Sequence, residues 1–249
     1  MNRHAIGIIP ARYASTRFPG KVLADIHGKP MVQHVYERAL LSHAIARCIV
    51  ATDDTRVMRA VQAFGGEAVL TADSHASGSD RVAEAARGLD AGIVVNIQGD
   101  EPLLEPRMID EVVDLLMRKP QAGMATLMRR IERADDWQNP GFVKVVTDSD
   151  GMALYFSRSL IPYPRFETDE FRAYDHIGIY AFTPEALARF AALGPSRLER
   201  IEGLEQLRAL ERGIRIAVDE THCGGETVCV DTVEDLERAR ALMEVQVPR

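Results

Sequence analysis

Residues 8–21 read Ile-Ile-Pro-Ala-Arg-Tyr-Ala-Ser-Thr-Arg-Phe-Pro-Gly-Lys. An apolar run from Ala5 to Ile9 stops at Pro10 and opens into a loop carrying Arg12, Arg17 and Lys21 among small residues. Arginine supplies planar forks of donors, lysine a point charge, and Ser15 and Thr16 add hydroxyls, a set suited to a polyphosphate. Small neighbours also let backbone N–H groups approach phosphate oxygens. The competing reading is a solvated basic turn. The next helix by pattern starts near Met31, and a loop of roughly twenty residues exceeds what a plain connection needs.

Two carboxylates stand in comparable places. The apolar run Ile93–Ile97 ends in Gln98-Gly99-Asp100-Glu101-Pro102. A carboxylate past the end of a buried strand lies where open α/β sheets bind ligands, and Asp100 there could hold Mg²⁺ with substrate phosphates. The other reading of Asp100 is a turn acid that caps the following helix. Thr227–Val230 is strand-like and ends at Asp231, and Thr232 followed three residues later by Asp235 resembles a capping box. Asp100 and Asp231, far apart in sequence, could therefore converge on one Mg²⁺–triphosphate. Ser77-Gly78-Ser79-Asp80-Arg81 opens a helix whose N–H groups and Arg81 suit a nucleotide, ordinary N-capping being the alternative.

The elements that must position these residues alternate. Apolar runs at Ile6–Ile9, Cys48–Ala51, Ala68–Leu70, Ile93–Ile97 and Met124–Leu127 read as strands. Helical patterns cover Met31–His43, Thr55–Phe64, Ser79–Gly88 and Pro106–Arg118. Strand–helix alternation predicts an α/β fold with a mainly parallel sheet flanked by helices, and continuously apolar strands predict burial on both faces. After Met128 the pattern changes. Phe142–Thr147, Met152–Ser157 and Ile177–Phe182 are strand-like, with Asp148-Ser149-Asp150-Gly151 a hairpin-type turn. A helix near Ser196–Arg212, a strand near Arg215–Val218 and a helix from about Val233 to Val245 follow. The expected organisation is an α/β core over 1–128, a smaller β-rich excursion over 129–182 and a return to the core over 183–249.

Composition narrows the classes. With 249 residues and 46% hydrophobic content, a sizeable core is affordable. A formal net charge of −7 argues against nucleic-acid or membrane-surface partners, so an anionic ligand needs a local basic cluster. No stretch approaches the roughly eighteen apolar residues of a membrane span, and Asn2-Arg3-His4 before a five-residue apolar run is no signal peptide. Three cysteines, Cys48, Cys223 and Cys229, are too few for a disulfide framework, which points to a reducing cytoplasm. The spacing of His222, Cys223 and Cys229 fits no standard zinc pattern. A dinucleotide oxidoreductase is disfavoured because no G-x-G-x-x-G follows the first strand.

The motifs in order resemble one family. Ile9-Pro10-Ala11-Arg12-Tyr13-Ala14-Ser15-Thr16-Arg17, Phe18-Pro19-Gly20-Lys21, Gly28-Lys29-Pro30-Met31, Ala51-Thr52-Asp53, Gln98-Gly99-Asp100-Glu101-Pro102, Ala153-Leu154-Tyr155-Phe156-Ser157-Arg158, His176-Ile177-Gly178-Ile179-Tyr180, Leu204-Glu205-Gln206-Leu207-Arg208 and Val230-Asp231-Thr232 are similar to the 3-deoxy-manno-octulosonate (Kdo) cytidylyltransferases. The resemblance covers nearly the whole chain. It implies a Rossmann-like nucleotidyltransferase fold and a Mg²⁺-dependent transfer of CMP from CTP to the anomeric hydroxyl of a 2-keto-3-deoxy sugar acid, releasing pyrophosphate, for lipopolysaccharide biosynthesis. A homodimer is also implied.

Family roles carry over to matching positions. Ala11, Arg12, Ser15, Arg17, Lys21, Ser77, Gly78 and Arg81 would bind the nucleotide, with Lys21 and Arg17 stabilising the leaving pyrophosphate. Asp100 and Asp231 would hold Mg²⁺. Gln98, Arg158, His176, Tyr180, Glu205 and Gln206 would face the sugar acid, with Arg158 meeting its carboxylate. No dedicated general base is assigned. The short segment between Pro162 and His176, Phe18, and Arg197-Leu198-Glu199 lean toward relatives that activate 8-amino-3,8-dideoxy-Kdo, so acceptor identity stays open, sialic-acid-like acids included. Cys229 stands where glycine is frequent, and Val233 where proline is usual. A catalytically silent nucleotide-binding relative is the non-enzyme alternative, opposed by the presence of Lys21, Asp100 and Asp231.

Overall fold

The computed structural model describes residues 4–14, 18–75, 77–166, 171–225 and 228–246. Two compact units emerge: Met1–Asp110 with Cys223–Arg249, and Glu111–His222. Ser15, Thr16 and Arg17 of the basic loop lie outside the described residues.

In the first unit β1 (Ala5–Pro10) lays down Ile8 and Ile9 with no exposed surface. After it, Lys21–Leu23 forms a short 3-10 turn, and β2 (Asp25–Ile26) pairs with β3 (Lys29–Pro30). The stretch expected as open loop up to Met31 thus ends in a tight hairpin turned by His27-Gly28, with φ of 49° and 82°. Then α1 (Met31–Ala39), β4 (Ile45–Thr52), α2 (Thr55–Ala63), β5 (Ala68–Leu70), α3 (Gly78–Ala85), β6 (Ile93–Asn96) and α4 (Pro106–Arg118) alternate. Strands β6, β1, β4 and β5 run parallel in that order. Hydrophobic residues stand on both sides of each central strand, because the flanking helices leave neither face to water. Helix α1 stops four residues short of expectation. Past its end the Ser42 hydroxyl and the Ala44 N–H both donate to Asp110 Oδ1, at 2.6 and 2.8 Å, which turns the chain into β4.

The second unit begins within α4 and contains β7 (Met124–Arg130), β8 (Lys144–Thr147), β9 (Ala153–Ser157), β10 (Tyr174–Phe182), α5 (Pro184–Ala192), α6 (Arg197–Glu202), α7 (Gln206–Glu211) and β11 (Ile216–Glu220). Strand β7 is parallel to β11 and antiparallel to β10, while β8 joins β10 to β9 in antiparallel fashion. The β8–β9 turn is the hairpin expected at Asp148–Gly151: Asp148 Oδ1 accepts from the N–H groups of Asp150 and Met152 at 2.9 and 2.8 Å. The final helix, α8 (Val233–Gln246), belongs to the first unit.

Three expectations about elements are corrected. The single helix over Ser196–Arg212 is two, because Gly203 adopts φ 64° and ends α6 in a left-handed cap. Helix α5 was not anticipated, although Thr183-Pro184-Glu185 is a start signal: the Thr183 hydroxyl accepts from the Ala186 N–H at 3.2 Å. Of the expected strand Thr227–Val230, Thr227 lies outside the described residues and Val228–Val230 joins no sheet among them; its backbone is fixed by Val230 N–H donating to Asp100 O at 2.9 Å.

Gly99 shows how tightly β6 is followed by its turn. A Cβ there would lie 2.9 Å from the Pro10 carbonyl oxygen and 3.2 Å from Ile9 Cγ2. Backbone cannot step aside cheaply, so Gly99→Ala should lower unfolding free energy by roughly 1–3 kcal/mol in chemical denaturation. Wild-type stability in that variant would contradict this packing.

Candidate active site

Lys21 opens the 3-10 turn because the loop is closed behind it: Gly20 N–H donates to Tyr13 O at 2.9 Å, and Val22 is buried beneath. Its ammonium donates to Asp100 Oδ2 at 2.7 Å, Asp231 Oδ1 at 2.9 Å and Val230 O at 2.9 Å. Three segments distant in sequence therefore meet at one nitrogen. The Val230 N–H closes the figure by bonding Asp100 O. Beneath lies an apolar cluster of Ile26, Met31, Leu103, Val228, Val230, Leu236 and Ala239, with Phe18 and Ala24 against it. Asp231 is held at the head of α8, where the Asp235 carboxylate takes the N–H of Asp231 and of Thr232 at 3.1 and 2.9 Å. Asp235 N–H in turn donates to the Thr232 hydroxyl at 3.2 Å, the reciprocal cap expected from sequence.

Burial works against the charge on Lys21, but Asp100 and then Asp231 more than offset it and hold the ammonium's pKa above the ordinary lysine value. One ammonium against two carboxylates leaves a negative charge, which would repel a polyphosphate unless a further cation shares the site. The donors suit such an ion. Asp100, Asp231 and Cys229 each offer one atom, all within 4.8 Å of one another. The two oxygens match a hard cation such as Mg²⁺, and the ammonium already drawn between them marks where positive charge is stable; the sulfur is no ligand for Mg²⁺.

The other nucleotide candidates of this unit separate into two kinds. Arg12 is exposed, Ala11 is buried with its N–H on Ala51 O at 2.8 Å, and Ser77 caps α3 by accepting from Asp80 N–H at 3.2 Å, with Gly78 exposed beside it. Arg81 is instead only 3% exposed and braced internally: Nη2 donates to Asp53 Oδ2 at 2.6 Å, and Nη1 reaches the Thr71 hydroxyl. Sequence reasoning did not single out Asp53 as this partner; a carboxylate just past the end of β4 was the available signal. Ser15 and Arg17 lie outside the described residues.

Gln98 stands in the first unit, while Arg158, His176, Tyr180, Glu205 and Gln206 belong to the second. His176 lies edge-on to Phe156 at 5.1 Å between ring centroids and 5.3 Å from Tyr180. The Thr126 hydroxyl sits 2.9 Å from Ile177 O, 2.7 Å from Ile179 O and 3.0 Å from His176 Nε2. A hydroxyl has one proton, which a carbonyl takes, so His176 Nε2–H is the donor to Thr126 and Nδ1 carries the lone pair. Arg158 is anchored rather than loose: its N–H donates to Glu202 Oε2 at 3.0 Å, Nε to Glu202 O at 2.9 Å and Nη1 to Pro140 O at 3.0 Å. Gln206, the first residue of α7, is 4% exposed, and Glu205 before it is the N-cap position of that helix. Glu202 and Lys144, which hold Arg158 in place, carried no motif to reveal them.

The family described as cytidylyltransferase matches residues 6–216. A 3-deoxy-manno-octulosonate cytidylyltransferase of Trichlorobacter lovleyi is 47% identical, covering 96% of this chain and 98% of its own length. One from Geobacter sulfurreducens is 50% identical, with 93% and 96% covered. The chain belongs to the 3-deoxy-manno-octulosonate cytidylyltransferase family. A solved CMP:2-keto-3-deoxy-manno-octonic acid synthetase complexed with CTP is similar throughout, with a TM-score of 0.92, 46% identity, and 98% and 100% of the two chains covered. As a member of this family the chain is a nucleotidyltransferase with a Rossmann-like α/β fold.

In this cytidylyltransferase, burial holds His176 at a pKa of about 3 against an ordinary 6.5. Neighbouring Asp175 is pushed by burial up to about 6, with Arg129, the Val143 N–H and Lys144 opposing. A depressed histidine binds fewer protons folded than unfolded, so its stability contribution is complete above pH 6.5 and is lost as the pH falls towards 3. Asp175 works the other way and favours the folded state as the pH falls through about 6. His176→Gln should therefore lessen the acid-side loss of unfolding free energy below pH 6.5, read by urea denaturation over a pH series. A variant as acid-sensitive as wild type would contradict the buried neutral imidazole.

Proposed function

We propose that this chain transfers CMP from CTP to the anomeric hydroxyl of 3-deoxy-manno-octulosonate, releasing pyrophosphate, with Mg²⁺ held by Asp100 and Asp231. The observation that carries this reading is the convergence of Lys21, Asp100 and Asp231, within a family whose similar members are named for that sugar acid and, in one solved case, for CTP. Phosphoryl transfer asks little covalent help of a protein; it asks for alignment and for cancellation of charge. Mg²⁺, when bound, would polarise the phosphoryl group and offset charge on the triphosphate.

The chain's own residues supply the rest. Lys21, tethered at the head of its turn, serves the phosphate oxygens once a second cation relieves it of the aspartates. Arg12, Ser15 and Arg17 extend the cationic loop around the triphosphate. Ser77 and Gly78 offer the open first turn of α3, while Arg81 acts through its ion pair with Asp53 to hold that turn against β4. The acceptor falls to Gln98, Arg158, His176, Tyr180, Glu205 and Gln206. Arg158 meets the carboxylate, and His176, neutral with Nδ1 unprotonated, accepts from a sugar hydroxyl. The proposed setting is lipopolysaccharide synthesis by a cytoplasmic homodimer.

Pyrophosphate release with CTP and Mg²⁺, measured separately with Kdo, 8-amino-3,8-dideoxy-Kdo and N-acetylneuraminate, tests the reading. Release is expected with Kdo; release with only another acceptor would reassign the substrate, and failure to bind CTP would overturn the reading. In the same assay Asp100→Asn should lower turnover by about a hundredfold or more, as loss of a charged group that stabilises the transition state does. Near-wild-type Mg²⁺-dependent turnover in that variant would remove Asp100 from the metal site.

A further inference from the structure

Lysine is rarely buried without a partner, yet Lys144 on β8 has no exposed surface. Its ammonium is satisfied by three backbone carbonyls: Asn139 O at 2.9 Å, Phe142 O at 2.7 Å and Arg158 O at 2.7 Å. Those three acceptors use all three of its protons. Among the described residues no carboxylate is bonded to the ammonium, so its charge is shared among carbonyl dipoles on two separate stretches of chain, with Asp175 and Glu202 acting on it through space.

The place of Lys144 in the sheet is as telling as its partners. Across one edge it pairs in register with Ser157, the residue before Arg158; across the other it pairs with Asp175, the residue before His176. His176 N–H donates to Val143 O at 2.7 Å, and Val143 N–H to Asp175 Oδ1 at 3.1 Å. Lys144 therefore grips the carbonyl of Arg158 where the chain leaves β9, and the same ammonium holds the 139–142 loop whose Pro140 carbonyl receives Arg158 Nη1. Glu202 completes the hold from α6, taking the Ser157 hydroxyl at 2.7 Å and the Arg158 N–H. Nε and Nη1 of Arg158 are thereby committed to backbone, and Nη2 points its donors at no described residue.

We propose that Lys144 is a positioning residue for acceptor recognition: its buried ammonium fixes the direction in which Arg158 presents its remaining donors to the carboxylate of the sugar acid. This rests on the reading of Arg158 given above. A guanidinium whose backbone and two nitrogens are fixed beforehand loses less freedom on meeting a carboxylate, which favours acceptors that carry one. Removing the ammonium would take the shared donor from the carbonyls of Asn139, Phe142 and Arg158, and would free the 139–142 loop that receives Arg158 Nη1, leaving Glu202 alone to hold the arginine.

A double-mutant cycle on the full-length enzyme tests this, with KM for Kdo and for CTP measured in wild type, Lys144→Met, Arg158→Ala and the double variant. Lys144→Met is expected to raise KM for Kdo by about tenfold while leaving KM for CTP within about twofold, and to add nothing in the Arg158→Ala background, as for two residues acting as one unit. If Arg158→Ala leaves KM for Kdo unchanged, the reading of Arg158 itself fails. If Arg158→Ala raises it but Lys144→Met raises it by the same factor in both backgrounds, or not at all, Lys144 does not act through Arg158 and the proposal is overturned. Should Lys144→Met fail to fold, Lys144→Gln, which keeps two amide donors, enters the same cycle with a smaller expected effect and the same overturning results.

Discussion

Two carboxylates drawn onto one lysine ammonium organise the first unit. Lys21 follows the basic loop, Asp100 follows β6 and Asp231 precedes α8, and local backbone hydrogen bonds help to place each of them. Gly99 lets the chain pass against Pro10, Gly20 closes the loop onto Tyr13, and the Thr232–Asp235 cap fixes the start of α8. The apolar cluster under Val230 then sets these pieces at a distance where charges interact strongly. Charge here is concentrated and incompletely cancelled. Under the function proposed above, such a site would take a divalent cation and a polyphosphate together, since either one alone would leave charge uncompensated.

The second unit uses polar groups differently. Around β8 and β10 a buried lysine, a desolvated histidine and an aspartate of raised pKa are held by backbone groups and rings more than by direct ion pairs. Hydrogen bonds of this kind fix direction rather than supply net charge. Under the function proposed above, such directional bonds would orient an acceptor by its hydroxyls and a single carboxylate.

Much of this was legible in the chain. Continuous apolar runs bounded by turn residues place β1, β5 and β6 within one residue of their observed ends, while β4 begins three residues earlier than Cys48, at Ile45, because the exposed Arg47 interrupts its apolar pattern. Asp100 and Asp231 were legible because strand ends and helix starts are where a parallel sheet exposes side chains. What escaped was settled by tertiary contact. Nothing local distinguishes Lys144 from a solvated strand lysine, and only the carbonyls of Asn139, Phe142 and Arg158 explain its burial. Arg81 reads as a nucleotide donor because it sits in the first turn of α3, and its ion pair with Asp53, contributed from beyond β4, has no local signal. Gly203, by adopting positive φ, cut a continuous helical pattern in two.

On the proposed function, Lys21 is the cation around which the nucleotide site is built, and it serves the triphosphate rather than the base or ribose. Calorimetric binding of CTP and CMP to wild type and Lys21→Met, each with Mg²⁺ present, tests it most directly. The account predicts that wild type prefers CTP over CMP and that this preference collapses towards parity in Lys21→Met, with CMP affinity little changed. An undiminished preference for CTP in the variant would contradict it.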